Sequence, residues 1–428
     1  MQRILSTELP HRIGERVTVA GWVHRRRLLK SVAFLIVRDA AGFIQVVVTD
    51  PDLRRRIEAL SEETVVEVTA TAVGNAAAPA GVELTDPVVR EKSGVAVPLP
   101  LELHRPVLTA TLPTQLDHAA LALRHPRRAA ALRIAAAATA GFRATLDGQD
   151  FVEVHTPKIV GSATESGANV FELDYFGRRA YLAQSPQFFK QTMVGVFERV
   201  YEVGPVFRAE PHDTSRHLAQ YTSLDAELGF IDDHRDVMAV LTGVLAGMLR
   251  SVRERAAAAL DLLGVAVPTV PAEVPAVHFT EALRIAGAPA DEPDLAPAHE
   301  RTLGEWAVRE HGSEFLYVTG YPMAKRPFYT HPDPTDPAYS NGFDLLFRGV
   351  ELVTGGQRLH RHSDYLAALA ARGEPVAPYA GYLDAFRYGM PPHGGFAIGL
   401  ERFVARLTGA GNVREVTAFP RDLHRLTP

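Results

Sequence analysis

Residues 199–229 read RVYEVGPVFRAEPHDTSRHLAQYTSLDAELG, and this stretch decides the fold of the larger part of the chain. Two runs rich in β-branched and aromatic residues, RVYEVGPVF and YTSLDAELG, flank a polar loop, the signature of an antiparallel hairpin. Arg208 and Glu210 alternate at the end of the first strand, so both face one side. Arg216 and His217 stand in the loop, and the return strand carries Tyr221, Asp225 and Glu227. Two arginines and an aromatic suit a bent triphosphate, with guanidinium groups on phosphate and the ring beneath adenine. A solvated charged hairpin has the same composition, so on these residues alone the two readings stand level.

The flanking sequence extends the pattern. Upstream, a helix is expected from Arg127 to about Leu146, ending at Asp147-Gly148, with FVEVHTPKIV continuing as a strand. FELDYF and AYLAQSP read as strands, and a helix begins near Pro186. Downstream, 233–263 reads as helical and 280–312 as helices broken by Pro-rich turns. EFLYVTGYP and GFDLLFRGVELVTGG return to strands, followed by a helix near 363–372 and a final helix beginning near Gly395. Strands this close in sequence point to an antiparallel sheet flanked by helices, an α+β arrangement, rather than βαβ units.

The first hundred residues have another character. VTVAGWVH, AFLIVRD, FIQVVVTD, VVEVTATAV and GVELTDPVVR are short strand-like runs, interrupted by one helical segment, PDLRRRIEAL. Five strands and one helix are the layout of an OB-fold β-barrel. The expected organisation is therefore a barrel over 1–104, a hinge over 105–126 and a second domain over 127–428.

Composition narrows the function. Apolar residues make up 46% and charged residues 22%, as in soluble globular proteins. The formal net charge of −5 means that any nucleic acid must meet local basic patches. With no cysteine, disulfides and thiolate metal sites are excluded, which fits a reducing cytoplasm. No run is long enough to span a bilayer, and the N-terminus lacks the apolar core of a signal peptide, so no membrane partner and a cytoplasmic location are expected.

Two further elements carry chemistry. In GFDLLFRGVELVTGG, Asp344 and Glu351 flank an expected hairpin turn at Arg348-Gly349. A pair of carboxylates suits Mg²⁺, a hard cation that also takes phosphate oxygens, although on these residues alone an ordinary acidic strand pair balanced by Arg348 and Arg358 is the favoured reading. In YGMPPHGGFAIGLERF, Pro391-Pro392 and Gly394-Gly395 suggest a turn, with Gly399 and Arg402 on the helix that follows. Arg402 could reach a terminal phosphate, while a packing glycine helix is the plainer alternative. Neither a GxxxxGK[ST] loop nor a dinucleotide glycine fingerprint is present.

Taken together and in order, the strand ending at Pro157, FRAE…RH…Y and GLER resemble the three signature motifs of class II aminoacyl-tRNA synthetases. HTPKI, AYLAQSPQFFKQ, RVYEVGPVFRAE, FDLLFRGVE, GGQRLHRH, FRYGMPPHGG and FPRDLHRLTP resemble the aspartyl-tRNA synthetase subfamily, over essentially the whole chain. No bulky insertion separates the second and third motifs, which resembles the archaeal type. The resemblance implies ATP and Mg²⁺, a homodimer built across the first motif, and activation of aspartate for transfer to tRNA(Asp).

The resemblance also implies roles for individual residues. Arg208, Glu351 and Arg402 would be catalytic. Arg208 and Glu210, the loop residues Arg216, His217 and Leu218, the adenine-stacking Tyr221, Glu351, and Gly399, Leu400, Glu401 and Arg402 would hold ATP. Glu351 and Asp344 would bind Mg²⁺. Glu165, Gln187, Lys190, Arg208, Asp225, Thr354 and Arg358 would bind aspartate. In the barrel, Phe34, Gln45 and Glu83 would read the anticodon, with Arg25, Arg26 and Arg27 near phosphates; as a bare strand residue, Phe34 would more simply be core. His24 and Pro79 match the relaxed subgroup, which also charges tRNA(Asn) and depends on an amidotransferase, whereas strict enzymes carry Trp and Lys there.

Three positions depart from the pattern: Ser166 replaces a usual glycine, Thr354 a usual serine, and Gln220 a common glutamate. Asparaginyl-tRNA synthetase shares the scaffold, but Lys190 and Arg358 favour a carboxylate over an amide, which would leave charge unpaired. A tRNA-independent aspartate-activating ligase typically lacks the barrel. A non-catalytic RNA-binding relative would not be expected to retain Arg208, Glu351 and Arg402.

Overall fold

A computed structural model describes residues 2–162, 169–211 and 213–427 of the chain. It divides into two units, Met1–His125 and Pro126–Pro428.

In the first unit, strand Arg16–Leu28 pairs on one side with Ala33–Arg38 and on the other with Val65–Gly74. Phe43–Val48 pairs with Ala33–Arg38, and Val82–Ser93 bridges Phe43–Val48 and Val65–Gly74. The ring of pairings closes, leaving only the short Arg3–Ile4 strand outside it. Period-two alternation sends Val17, Val19, Val23, Leu35, Val37, Ile44 and Val46 into one core, as a closed barrel requires. Helix Pro51–Ala59 starts where the Asp50 side chain accepts from Leu53 N at 2.7 Å and proline takes the first turn. The OB-fold expectation is met.

Residues 105–126 do not form a bare connector. Thr111 caps a short helix, Leu112–Asp117, and Ala119–Ala122 follows. Leu101, Leu103 and Ala122 form a small apolar cluster that anchors them within the first unit.

The second unit is built on an eight-stranded sheet, with a separate three-stranded sheet of Ile159–Val160, Arg178–Leu182 and Glu172–Tyr175. The strand order of the larger sheet is Ala276–His278, Phe315–Thr319, Gly342–Phe347, Glu351–Arg358, His393–Gly399, Gln220–Gly229, Arg199–Phe207, Val152–Glu153. The two outermost pairings are parallel and the rest antiparallel. Helices Pro126–Asp147, His234–Arg255 and Leu400–Thr408 contribute Ile134, Phe142, Leu241, Met248 and Phe403 to a core shared with Leu224, Phe343 and Phe396 of the sheet.

Three local readings are corrected. FVEVHTPKIV is not one strand: only Val152–Glu153 and Ile159–Val160 pair. Between them, Thr156 spends its N–H and hydroxyl on the Glu202 carboxylate, at 3.0 and 2.7 Å, and Pro157 has no N–H to give. The final helix begins at Leu400, and residues 393–399 form an interior strand. Gly395 is small there because of packing rather than a turn: a Cβ would lie 2.1 Å from Glu227 Oε2 and 2.2 Å from Ala226 O. Lastly, strand Arg199–Phe207 stops before Arg208, so Arg208 and Glu210 lie just beyond it, with Arg208 N still donating to Ala219 O at 2.9 Å.

Candidate active site

Strand register builds the floor of the site. Asp225 pairs with Ala397, Ala397 with Thr354, and Thr354 with Asp344, so four residues from four strands share one row. Glu227, Gly395 and Gly356 form a neighbouring row. Alternation along Gln220–Gly229 puts Tyr221, Ser223, Asp225 and Glu227 on a single face. The glycines and alanine between these residues keep the floor low.

A cavity of about 190 Å³ opens above it. Its wall includes Arg208, Glu210, Arg216, His217, Leu218 and Tyr221 from the hairpin. Glu351 and Thr354 come from a second strand, and Gly399, Glu401 and Arg402 from the strand-to-helix junction. The Arg208 guanidinium lies 5.9 Å from the centre of the Tyr221 ring. Arg402 Nη1 donates to Glu351 O at 2.9 Å and lies 3.3 Å from Glu351 Oε1. Glu401 is turned inward, its two oxygens accepting from Thr222 N at 3.1 Å, and burial raises its pKa. Leu400 is not in this wall; its side chain joins the apolar core. Glu165 and Ser166 lie outside the described residues.

Two residues that sequence reasoning missed brace this wall. Glu300, buried in helix Pro297–His311, accepts from Arg216 Nη1 at 3.3 Å and from Glu351 N at 2.9 Å. Arg326 pairs with Asp344 at 3.2 Å. Nothing local marks either one, because their partners are 84 and 18 residues away.

Asp344 is buried behind the wall rather than lining it. Burial pushes its pKa up, Arg326 opposes this, and the nearby Glu351 charge adds to the rise. Two carboxylates in mutual repulsion beside a phosphate-sized cavity fit a divalent cation, which relieves that repulsion. Among the described residues, no group of three or more His, Asp or Glu side chains is arranged to hold a metal by itself.

Next to the cavity lies a sealed ionic cluster. Lys190 Nζ, from helix Gln187–Phe197, is 3.1 Å from Asp225 Oδ1, 3.2 Å from Glu227 Oε2 and 3.2 Å from Phe396 O. Arg358 Nε donates to Glu227 Oε1 and Nη2 to Gly395 O, both at 3.0 Å. Burial alone would raise the Glu227 pKa, but Arg358 and Lys190 outweigh it and hold the group below the usual carboxylate range. Gln187 Nε2 is buried here without a hydrogen-bond partner among the described residues. Glu227 stands out in the sequence only as a second carboxylate on the return strand, two residues after Asp225, and the resemblance gives it no role.

The comparisons with known proteins now decide the family. Residues 111–423 match the family model described as tRNA synthetases class II (D, K and N), and residues 17–90 match the OB-fold nucleic acid binding domain. The chain belongs to the class II tRNA synthetases. It is 45% identical to the aspartate--tRNA(Asp/Asn) ligase of Thermus thermophilus, over the whole of both chains. It is 44% identical to the enzyme of the same name from Deinococcus radiodurans, covering 100% of this chain and 99% of the relative. Among solved structures, the asparaginyl-tRNA synthetase of Pyrococcus horikoshii complexed with asparaginyl-adenylate superposes with a TM-score of 0.93 at 29% identity, covering all of both chains. No described helix of this synthetase is long and apolar enough to cross a membrane.

The synthetase's barrel presents a connected polar strip. Arg27 Nη2 donates to Gln45 Oε1 at 3.1 Å, and Gln45 Nε2 donates to Glu83 Oε2 at 3.1 Å. Asn75, which was not expected, also donates to Glu83 Oε2, at 2.8 Å. Phe34 is half-exposed and outside the barrel core, with the Arg27 guanidinium 5.4 Å from its ring centre. His24 occupies a β-bulge between Val23 and Arg25, which re-aims its side chain. Its ring centre is 4.7 Å from that of Phe43, and its Nδ1 is 3.4 Å from Arg38 Nη1. Burial and then the Arg38 charge lower its pKa to about 4. Arg38 can only donate, so Nδ1 accepts and the ring proton sits on Nε2. Pro79 opens a short 3₁₀ turn, Pro79–Gly81.

Proposed function

We propose that this synthetase activates L-aspartate with ATP and transfers it to tRNA(Asp) and also to tRNA(Asn). The observation that carries the aspartate reading is the pair Lys190 and Arg358, two buried cations converging beside the Arg208–Tyr221 cavity. Asp225 and Glu227 already neutralise them, so the pocket is poised rather than strongly basic. An entering aspartate brings a side-chain carboxylate to the cations and an ammonium to Asp225 and Glu165. An asparagine amide would bring no charge to the cations.

In the proposed reaction an α-carboxylate oxygen of aspartate attacks the α-phosphorus of ATP. The bond from that phosphorus to the bridging oxygen breaks, and pyrophosphate leaves. A ribose hydroxyl at the tRNA end then attacks the aspartyl carbonyl and expels AMP. No side-chain nucleophile is needed. Arg208, Arg216 and Arg402 neutralise phosphate charge, Tyr221 supports adenine, and Gln187 and Thr354 position the amino acid. Glu351, with Asp344 behind it, would hold Mg²⁺, which supplies charge neutralisation on the phosphate oxygens.

His24 and Pro79 support acceptance of both tRNAs, as does the similarity to the Asp/Asn ligases of Thermus and Deinococcus. Proline at 79 has no side-chain donor for a base edge. Aspartyl-tRNA(Asn) made this way needs an amidotransferase to become asparaginyl-tRNA. A homodimer across the first motif is part of the same reading, supported by exposed Val152, Ile159, Val196 and Phe197 around it. The activation step is tested by Mg²⁺-dependent ATP–pyrophosphate exchange. Exchange should require aspartate and fall by orders of magnitude in Arg208→Ala; near wild-type exchange in that variant would overturn the assignment.

A further inference from the structure

A second cavity, of about 270 Å³, adjoins the first. Arg216, Arg402 and Val413 line both, so the dividing wall carries two guanidinium groups. Arg301 and Arg406 add two more on the far side. No carboxylate lines this cavity among the described residues; its remaining lining is small or apolar, including Gly349, Val350 and Ala405.

The two added arginines are differently set. Arg301 is exposed on helix Pro297–His311, and its side chain makes no hydrogen bond or ion pair among the described residues. Arg406 is anchored by donating to Arg348 O, and its Nε is buried with no hydrogen-bond partner among the described residues. Glu300 and Glu351 partly balance Arg216 and Arg402, whereas Arg301 and Arg406 have no ion-pair partner among the described residues, so the far side of the cavity favours a compact polyanion. The fork-shaped donors of arginine suit phosphate oxygens.

We propose that this cavity receives inorganic pyrophosphate as it leaves the first one, passing from Arg216 and Arg402 in the shared wall to Arg301 and Arg406. The proposal rests on the reading of the first cavity as the nucleotide site. It assigns a binding role to Arg301 and Arg406, neither of which the activation chemistry uses.

The test is calorimetric titration of pyrophosphate into the full-length protein saturated with a non-hydrolysable aspartyl-adenylate analogue. Arg301→Ala should weaken pyrophosphate binding about threefold to tenfold, the loss expected for one exposed charge-assisted contact. Arg301→Glu should weaken it further, and Arg301→Lys should recover most of the affinity. Arg284→Ala, an exposed arginine already paired with Glu281, should leave it unchanged and so controls for bulk charge. Normal analogue binding with wild-type pyrophosphate affinity in both Arg301→Ala and Arg301→Glu would overturn the inference alone. Failure of the wild type to bind the analogue would overturn the nucleotide reading and take the inference with it.

Discussion

Arg358 and Glu227 are joined by a 3.0 Å hydrogen bond with both side chains sealed from solvent. Glu227 therefore holds the guanidinium that we assign to the substrate carboxylate. Arg358→Leu would leave Glu227 buried with only Lys190 opposite, a loss of about 3–5 kcal/mol for a broken buried pair. The expected outcome is an aspartate KM raised by two orders of magnitude or more, a lower thermal midpoint, and ATP binding little changed. Exchange kinetics and nucleotide titration separate these effects; an unchanged aspartate KM would remove Arg358 from the pocket.

Glu351 faces the nucleotide cavity while Asp344 sits behind it, tied to Arg326. Glu351→Gln should raise the Mg²⁺ concentration needed for half-maximal exchange, on the order of tenfold to a hundredfold. Asp344→Asn should raise it less. Equal Mg²⁺ requirements in wild type and Glu351→Gln would place the cation elsewhere.

His393 is fully buried, and burial lowers its pKa from 6.5 to about 4, with the Glu227 charge opposing. The unfolded chain takes up a proton near pH 6.5 that the folded chain refuses until about pH 4. Stability from this group is therefore complete above pH 6.5 and falls as the pH drops through that window, by about 1.4 kcal/mol per unit. Denaturation midpoints between pH 7 and 5 should show the decline, and His393→Gln should make it shallower, with His24 contributing a slope of its own. An identical slope in the variant would mean that other groups cause it.

Side-by-side charging of purified tRNAs checks the relaxed reading of the barrel. Wild type should charge tRNA(Asp) and tRNA(Asn) within about a hundredfold, or 2.7 kcal/mol. Pro79→Lys should shift the ratio toward tRNA(Asp) by roughly tenfold, the scale of one base-specific contact. A strict wild type would refute the roles given to His24 and Pro79.

The sequence was most informative where chemistry and periodicity coincide. The hairpin reading of 199–229 put Tyr221, Asp225 and Glu227 on the return strand, where the structure has them, and the barrel strands were legible from their valines. It was least informative where long-range contacts decide. Gly394 and Gly395 read as a turn because a glycine pair usually marks one; only the sheet shows that the Glu227 side chain and neighbouring backbone fill the space where side chains would be. Glu300 and Arg326 could not be found from the chain because each acts through a partner distant in sequence. Leu400 followed the motif into the site although its side chain belongs to the core.

The most direct test of the account is wild-type ATP–pyrophosphate exchange with aspartate and asparagine compared in parallel. Lys190 and Arg358, held by Asp225 and Glu227, predict exchange with aspartate and a kcat/KM for asparagine lower by at least about a hundredfold. Equal activation of the two amino acids, or exchange with asparagine alone, would contradict it.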